Sequence, residues 1–208
     1  MAAAPGWEPG VRSLASTYLA PLVPELCCGV PAGRAVVYLM VFVIVALVLL
    51  LVLLSMVWPP DSAWSPWWRT SRRVARIQCR LAGVSSTDVV YDLGCGDGGA
   101  LVVAAREFGA SGVGVEIDPL RATVARARAA LGGVSDRIRI RRANFFDVDL
   151  TPATVVVMYL VPPALKRLRR KIQSELRPGT RVVTYVYQID LPLLASDERE
   201  RVYVYEVQ

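Results

Sequence analysis

The stretch "VYDLGCGDGG", residues 90–99, decides the fold of this 208-residue chain. A run of β-branched and aromatic residues gives way to four glycines that are separated only by Cys95 and Asp97. Glycine loses more backbone freedom on folding than any other residue, so a glycine-rich loop is costly. We infer that a small molecule comes too close to this backbone for side chains to fit.

Strand and helix patterns alternate on both sides of the loop. Strand patterns occupy residues 88–94, 112–117, 137–142, 154–160, 181–187 and 201–207. Helix patterns occupy residues 71–83, 99–109, 118–133 and 162–179, and the third of these begins with Asp118 as N-cap and Pro119 at the first helical position. This alternation predicts an α/β fold with a doubly wound, mostly parallel sheet. The last strand follows a short connection, so we expect it to pair antiparallel at the sheet edge.

Two cofactor classes compete for the glycine loop. Gly94, Gly96 and Gly99 satisfy G-x-G-x-x-G, the dinucleotide fingerprint. Asp92 together with Gly94, Gly96 and Gly98 satisfies D-x-G-x-G-x-G instead. The glycines alone do not separate the two classes.

The charges around the loop favour S-adenosylmethionine. Asp92 and Asp97 would repel the pyrophosphate of a dinucleotide, whereas they would attract the sulfonium and ammonium groups of S-adenosylmethionine. Glu116 stands at the end of the next strand, where a carboxylate can accept hydrogen bonds from both ribose hydroxyls. The residues therefore predict S-adenosylmethionine as the cofactor.

An uncharged run, residues 35–58, precedes this domain and is long enough to span a bilayer. Aromatic residues that suit a headgroup belt follow it, and these are Trp58, Trp64, Trp67 and Trp68. More arginines follow the run than precede it, which places the C-terminal part on the cytoplasmic or matrix side. We therefore expect an N-terminal arm (1–34), a transmembrane helix (35–58), a linker (59–70) and a catalytic domain (71–208).

Composition excludes several kinds of site. The chain has no histidine, the commonest general base and metal ligand, and its four cysteines lack metal-site spacing, so we expect no metal. The net charge of +6 suits an anionic membrane surface or nucleic acid. Because the basic runs at 137–142 and 166–171 also fit solvated faces beside a membrane anchor, we expect no nucleic-acid partner.

The stretch VVYDLGCGDGG with GVEIDP resembles the first two motifs of class I S-adenosylmethionine-dependent methyltransferases. Three further segments, at 66–84, 141–150 and 155–183, resemble a narrower group. That group consists of the membrane-anchored mitochondrial lysine methyltransferases of the ATP synthase c-subunit and the adenine nucleotide translocase, with their prokaryotic relatives. The resemblance implies a membrane-anchored N-methyltransferase in the mitochondrial inner membrane or a bacterial plasma membrane, with a lysine of a membrane protein as substrate.

The resemblance also implies roles for individual residues. The cofactor-binding residues would be Thr70, Asp92, Gly94, Gly96, Gly98, Glu116, Ile117, Asn144 and Phe145. Tyr159 and Pro162 would belong to the active-site segment after the fourth strand. The chain departs from the pattern of its relatives at Gly99, Asn144 and Thr154.

Two alternative functions remain open from the sequence. The departures at Gly99, Asn144 and Thr154 fit a non-catalytic accessory subunit of a membrane complex that keeps the methyltransferase fold. A membrane anchor also fits an enzyme that methylates a small lipid-soluble acceptor, such as a quinone or a lipid. In either enzymatic reading, the absence of histidine is compatible with methyl transfer to an amine, which needs alignment and a free lone pair.

Overall fold

The computed structural model describes residues 32–57 and 68–208. The first part is one helix, α1 (Ala32–Val57), which the sequence predicts. Its 19-residue segment Val36–Leu54 is long and apolar enough to cross a membrane, and all the side chains of that segment are exposed. Residues 1–31 of the predicted arm, Trp58 at the end of the predicted transmembrane helix and residues 59–67 of the predicted linker, with Trp64 and Trp67, lie outside the described residues.

Residues 68–208 form alternating helices and strands. The helices are α2 (Arg72–Leu81), α3 (Gly99–Phe108), α4 (Pro119–Leu131) and α5 (Pro162–Glu175). The strands are β1 (Val89–Leu93), β2 (Ser111–Glu116), β3 (Ile138–Arg142), β4 (Val155–Met158), β5 (Arg181–Tyr185), β6 (Leu193–Asp197) and β7 (Val202–Glu206). The predicted doubly wound α/β fold is confirmed.

Within residues 68–208 the seven strands form one sheet in the order β3-β2-β1-β4-β5-β7-β6. The first five strands of that order are parallel, and β7 is antiparallel to both of its neighbours. The expectation that the last strand lies at the edge is wrong, because β6 pairs with β7 and takes the edge position. The sequence pattern missed β6, whose Leu193 and Leu194 are exposed and show no alternation of apolar and polar residues.

The sheet is covered on both faces. Helices α2, α3 and α4 pack on one face, where Val74, Leu101 and Ala125 join the core. Helix α5 and the loop after β3 cover the other face with Leu165, Leu168 and Val148, among others. The central strand β4 is buried along its whole length, which explains its continuous apolar sequence.

Strand order reverses beside β1, and this reversal sets the position of the site. The chain runs from β1 to β2 and β3 on one side, and then returns to β4 on the other side. Ligands of open α/β sheets bind at such a switch point, beyond the carboxyl ends of the strands. The glycine loop follows β1 at that point.

Helix α4 begins as the sequence predicts. The Asp118 carboxylate accepts a hydrogen bond from the backbone N–H of Arg121 at 2.8 Å, and Pro119 takes the first helical position. Helix α3 ends at Gly109, which has a left-handed φ of 74°.

A polar cluster at the opposite end of β1 connects three segments of the domain. The buried Asp88 carboxylate accepts hydrogen bonds from the Ser85 backbone N–H at 2.7 Å and from the Thr154 hydroxyl at 2.7 Å, and it pairs with Arg181. The Thr154 hydroxyl also accepts from the Val89 N–H at 2.9 Å. Thr154, a departure from the family pattern, therefore has a structural role remote from the carboxyl ends of the strands.

Replacing Asp88 with alanine is expected to destabilise the domain by about 3 kcal/mol, since removing one partner leaves a partly buried Arg181 without its counter-charge. Urea unfolding at neutral pH measures this loss. Asp136→Asn, at an exposed carboxylate, is the matched control and should change stability by less than about 0.5 kcal/mol.

The same carboxylate gives the domain a pH dependence. Burial raises the pKa of Asp88, but the hydrogen bonds from Thr154 and Ser85 and the charge of Arg181 outweigh it and hold the pKa below its ordinary value. The stabilisation by Asp88 is therefore present at neutral pH and is lost as the pH falls through the lowered pKa. Equal stability losses for Asp88→Ala at pH 7 and at strongly acidic pH would contradict this assignment.

Candidate active site

The glycine loop is held against β2 by its own backbone. The N–H groups of Gly94 and Cys95 both donate to the carbonyl oxygen of Val115, at 2.9 and 3.0 Å. Gly98, which precedes α3, has a left-handed φ of 72°, and a Cβ there would lie 3.1 Å from the Cβ of Ala125. A side chain at this position would therefore be strained and would push α4 away from the loop.

Glu116 fixes the loop from the end of β2. One carboxylate oxygen accepts from the Gly96 N–H at 2.8 Å, and the other accepts from the Asp118 N–H at 3.0 Å. Each oxygen of an ionised carboxylate can accept two hydrogen bonds, so acceptor sites remain for a ligand. Glu116 is buried and lines the cleft described below.

Asp92, the last residue but one of β1, carries a buried carboxyl group at the floor of the site. Burial, reinforced by the charges of Glu116 and Asp97, raises its pKa to about 7. Its charged form is thus costly in this environment, and a bound cation would stabilise it.

Asp97 is neutralised by two arginines, which the sequence did not indicate. Its carboxylate pairs with the Arg69 Nε and the Arg128 Nη1, each at 2.7 Å. The attraction of a cationic ligand therefore rests on Asp92 and Glu116 rather than on Asp92 and Asp97. A Cβ at Gly99 would lie 3.2 Å from the Arg128 Nη1, so the missing side chain at this departure leaves room for the arginine.

These groups line one cleft of about 840 Å³, a volume that includes space open to solvent. Eight of the predicted site residues lie on its wall: Thr70, Asp92, Gly94, Gly96, Glu116, Ile117, Phe145 and Tyr159. The cleft extends along the strand ends from β2, with Glu116 and Ile117, to β4, with Val157.

The structure does not bring three predicted residues to the wall of the cleft. Gly98 lies behind the loop as the N-cap of α3, and Pro162 is exposed at the start of α5. Asn144 is exposed, and its side-chain oxygen accepts a hydrogen bond from the Phe146 N–H at 3.1 Å. That oxygen is therefore engaged in its own loop.

Sequence reasoning missed several residues on the wall, and Gln78 is the most informative of them. It lies on α2, is only 2% exposed, and its Oε1 atom has no hydrogen-bond partner among the residues that the structure describes. The available signal was a glutamine one helical turn after the buried Val74, on the apolar face of α2. A polar residue on a buried helix face is costly unless something bonds to it.

Two aromatic side chains pack against Tyr159, which lies on the wall of the cleft. The ring centroids of Trp68 and Tyr185 lie 5.8 and 4.7 Å from that of Tyr159. Tyr185 precedes a tight turn in which the Tyr187 N–H donates to the Tyr185 carbonyl at 2.8 Å, and the central residue, Val186, has a φ of 69°. Such γ-turns with positive φ are rare and strained.

No three His, Cys, Asp or Glu side chains gather in a metal-binding arrangement among residues 32–57 and 68–208. The expectation that the protein uses no metal stays a prediction.

Residues 92–192 match the family model of the ANTKMT methyltransferase domain. A protein-lysine N-methyltransferase of Saccharolobus islandicus is 43% identical over 60% of this chain and 78% of its own length. The chain belongs to this family of class I S-adenosylmethionine-dependent methyltransferases. The resemblance inferred from the glycine loop is confirmed.

Two further comparisons add detail. A lysine N-methyltransferase of the ATP synthase c-subunit from Xenopus laevis is 34% identical over 48% of this chain, which spans only 43% of that relative. A solved structure described as an RNA methyltransferase of Salinibacter ruber, in complex with S-adenosylhomocysteine, matches with a TM-score of 0.64. It is 38% identical and covers 67% of this chain and 94% of its own.

S-adenosylmethionine is the cofactor of this methyltransferase, and the cleft fits it. The sulfonium and ammonium groups are cations, and the buried carboxyl groups of Asp92 and Glu116 line the wall. Gln78, whose buried Oε1 atom has no hydrogen-bond partner among the described residues, belongs to the same wall. Ile117 and Phe145 provide apolar surface at the β2 end of the cleft.

Binding of S-adenosylmethionine is expected to tighten about tenfold between pH 6 and pH 7.5. Asp92, with its pKa raised to about 7, is mostly protonated at the lower pH, where it cannot stabilise a cation. Calorimetric titration of the full chain measures the dissociation constant at each pH.

Asp92→Asn should bind more weakly at pH 7.5 and should lose this pH dependence. Asp190→Asn, at an exposed carboxylate, is the matched control and should retain both the affinity and the pH dependence. An unaltered pH dependence in Asp92→Asn would assign the titration to another group.

Proposed function

We propose that this methyltransferase transfers the methyl group to the side-chain amine of a lysine on a membrane protein. The observation that carries the proposal is an aromatic cluster in which Trp68 and Tyr159 lie on the wall of the cofactor cleft and Tyr185 packs against Tyr159. Aromatic faces attract alkylammonium groups and exclude water from them. The lysine activity named for the relative from S. islandicus supports the same assignment.

The cleft residues divide between the two ends of the cofactor. In this proposal Glu116 accepts the ribose hydroxyls, and Ile117 and Phe145 pack on the adenine. Asp92, Gly94 and Thr70, which line the same cleft, are assigned to the methionine end. Bound S-adenosylmethionine supplies an electrophilic methyl group on a sulfonium sulfur.

Tyr159 positions the amine in this proposal and does not act as a base. A lysine must be neutral to react, which costs about 4 kcal/mol at pH 7 from a reference pKa of about 10.4. Desolvation in the cleft and the positive charge of the nearby sulfonium both disfavour the ammonium form and lower that cost. Burial and the neighbouring Tyr185 and Tyr187 raise the pKa of Tyr159, so its hydroxyl stays protonated at neutral pH and can accept a hydrogen bond from the amine.

Helix α1 serves as the membrane anchor in this proposal, with the catalytic domain on the cytoplasmic or matrix side. The support is the length and composition of Val36–Leu54, together with the arginines that follow the helix in the sequence. An anchored enzyme meets substrates at the bilayer surface, and the c-subunit named for the Xenopus relative belongs to that class. The mitochondrial inner membrane or a bacterial plasma membrane provides such a surface.

RNA methylation is the second candidate function. The description of the S. ruber structure favours it, and Arg139, Arg141 and Arg142 on β3 form an exposed basic strand that could contact phosphates. Against it, the S. islandicus relative is matched at higher identity and is named for lysine. Two further alternatives must also be distinguished by experiment: methylation of a lipid-soluble acceptor, and a non-catalytic accessory role.

The full chain in membrane vesicles, supplied with S-adenosylmethionine carrying a labelled methyl group, is expected to label protein. Acid hydrolysis of the labelled protein should yield methyl-lysine. Label in RNA or in the lipid extract would support the corresponding alternative. Label in no fraction, from a chain that binds the cofactor, would support the accessory role.

Tyr159→Phe is expected to lower kcat by about 100-fold, because the acceptor amine loses the hydroxyl that orients its lone pair. The affinity for S-adenosylmethionine should change little. Tyr203→Phe is the matched control, since its hydroxyl bonds to Glu198 and its ring is not on the cleft wall. A full rate in Tyr159→Phe would contradict the role of the hydroxyl.

The full chain is expected to remain with membranes in alkaline carbonate. The double variant Val45→Arg, Leu49→Arg should be released from the membrane. Each arginine at the centre of a spanning helix raises the free energy of membrane insertion by about 2.5–3.5 kcal/mol. Leu131→Arg, at a position 90% exposed in the catalytic domain, is the control and should leave the protein in the membrane.

A further inference from the structure

Gln78 places a buried side chain on the wall of the cofactor cleft. Its Oε1 atom has no hydrogen-bond partner within residues 32–57 and 68–208, and the side chain lines the cleft together with Asp92 and Val157. An unpaired buried polar group costs stability, and replacing it with an apolar side chain of similar shape would remove the cost. A bound ligand can supply the hydrogen bond that this oxygen lacks.

The position of α2 indicates which end of the cofactor meets Gln78. The helix packs against α3, β6 and β7, on the side of β1 that also holds β4 and β5. Glu116 and Ile117, at the nucleoside end, follow β2 on the other side of β1. A molecule that extends along the strand ends from β2 toward β4 brings its amino-acid end to Gln78.

Only one group at that end suits an amide oxygen. The sulfonium has no N–H, and the carboxylate offers oxygens that would repel Oε1. The α-ammonium has three donors and a positive charge, and the carboxyl group of Asp92 on the same wall favours that charge.

We propose that Gln78 binds the α-ammonium of the methionine moiety of S-adenosylmethionine through its Oε1 atom. This inference rests on the cofactor of the family and is independent of the acceptor that the enzyme methylates. Gln78 would thus help to distinguish S-adenosylmethionine and S-adenosylhomocysteine from adenosine derivatives that lack the amino-acid group.

The test compares two ligands on the full chain by calorimetry. S-adenosylhomocysteine carries the ammonium, whereas 5′-methylthioadenosine has the same nucleoside and sulfur without it. Gln78→Met keeps the side-chain volume and removes the acceptor. It should therefore weaken the affinity for S-adenosylhomocysteine at least tenfold and leave the affinity for methylthioadenosine within about twofold of the original value. Gln173→Met, at an exposed position on α5, is the matched control and should change neither affinity.

Two further measurements separate this role from a purely structural one. Gln78→Met should raise the melting temperature of the ligand-free protein by about 2–4 °C, because it removes an unpaired buried oxygen. Gln78→Glu keeps an acceptor oxygen and should retain S-adenosylhomocysteine binding at pH 7.5. The proposal would be overturned if Gln78→Met left the affinity for S-adenosylhomocysteine unchanged, or weakened the affinities for both ligands equally. Loss of S-adenosylhomocysteine binding in Gln78→Glu would also overturn it.

Discussion

The carboxylate of Glu116 holds two backbone segments in place at once. Its oxygens bind the Gly96 N–H in the loop after β1 and the Asp118 N–H at the start of α4. The loop at Gly96, the start of α4 and the acceptor sites at the nucleoside end of the cleft thus all meet at this one side chain. Asp118 in turn caps α4, which carries Arg128 to the loop.

The cleft concentrates negative charge where burial makes it expensive. Asp92 and Glu116 are both buried, and Asp92 has a pKa raised to about 7 in the ligand-free protein. A structural site would have acquired counter-charges, as Asp97 does with Arg69 and Arg128. The difference between Asp97 and Asp92 separates a carboxylate that shapes the loop from one that faces a ligand.

The local parts of this architecture were predictable from the sequence, whereas contacts between distant segments were not. The apolar run of β1, the glycines after it and the N-cap of α4 are adjacent residues whose chemistry determines their own backbone. The pairing of Arg128 with Asp97 and the place of Gln78 on the cleft wall depend on helix packing, which no local pattern encodes. The sequence pattern did not predict strand β6, because its hydrogen bonds come from β7 and its exposed leucines produce no alternation of apolar and polar residues.

The contact of Arg128 with the loop constrains how this sequence can change over evolutionary time. A Cβ at position 99 would lie 3.1 Å from the Asp97 Oδ1 and 3.2 Å from the Arg128 Nη1, so these side-chain tips must shift by a few tenths of an ångström to admit a larger residue there. Because Arg128 pairs with Asp97, such a shift disturbs that ion pair. The effect of a substitution at 99 therefore depends on the residue at 128, and the two positions, distant in sequence, are coupled.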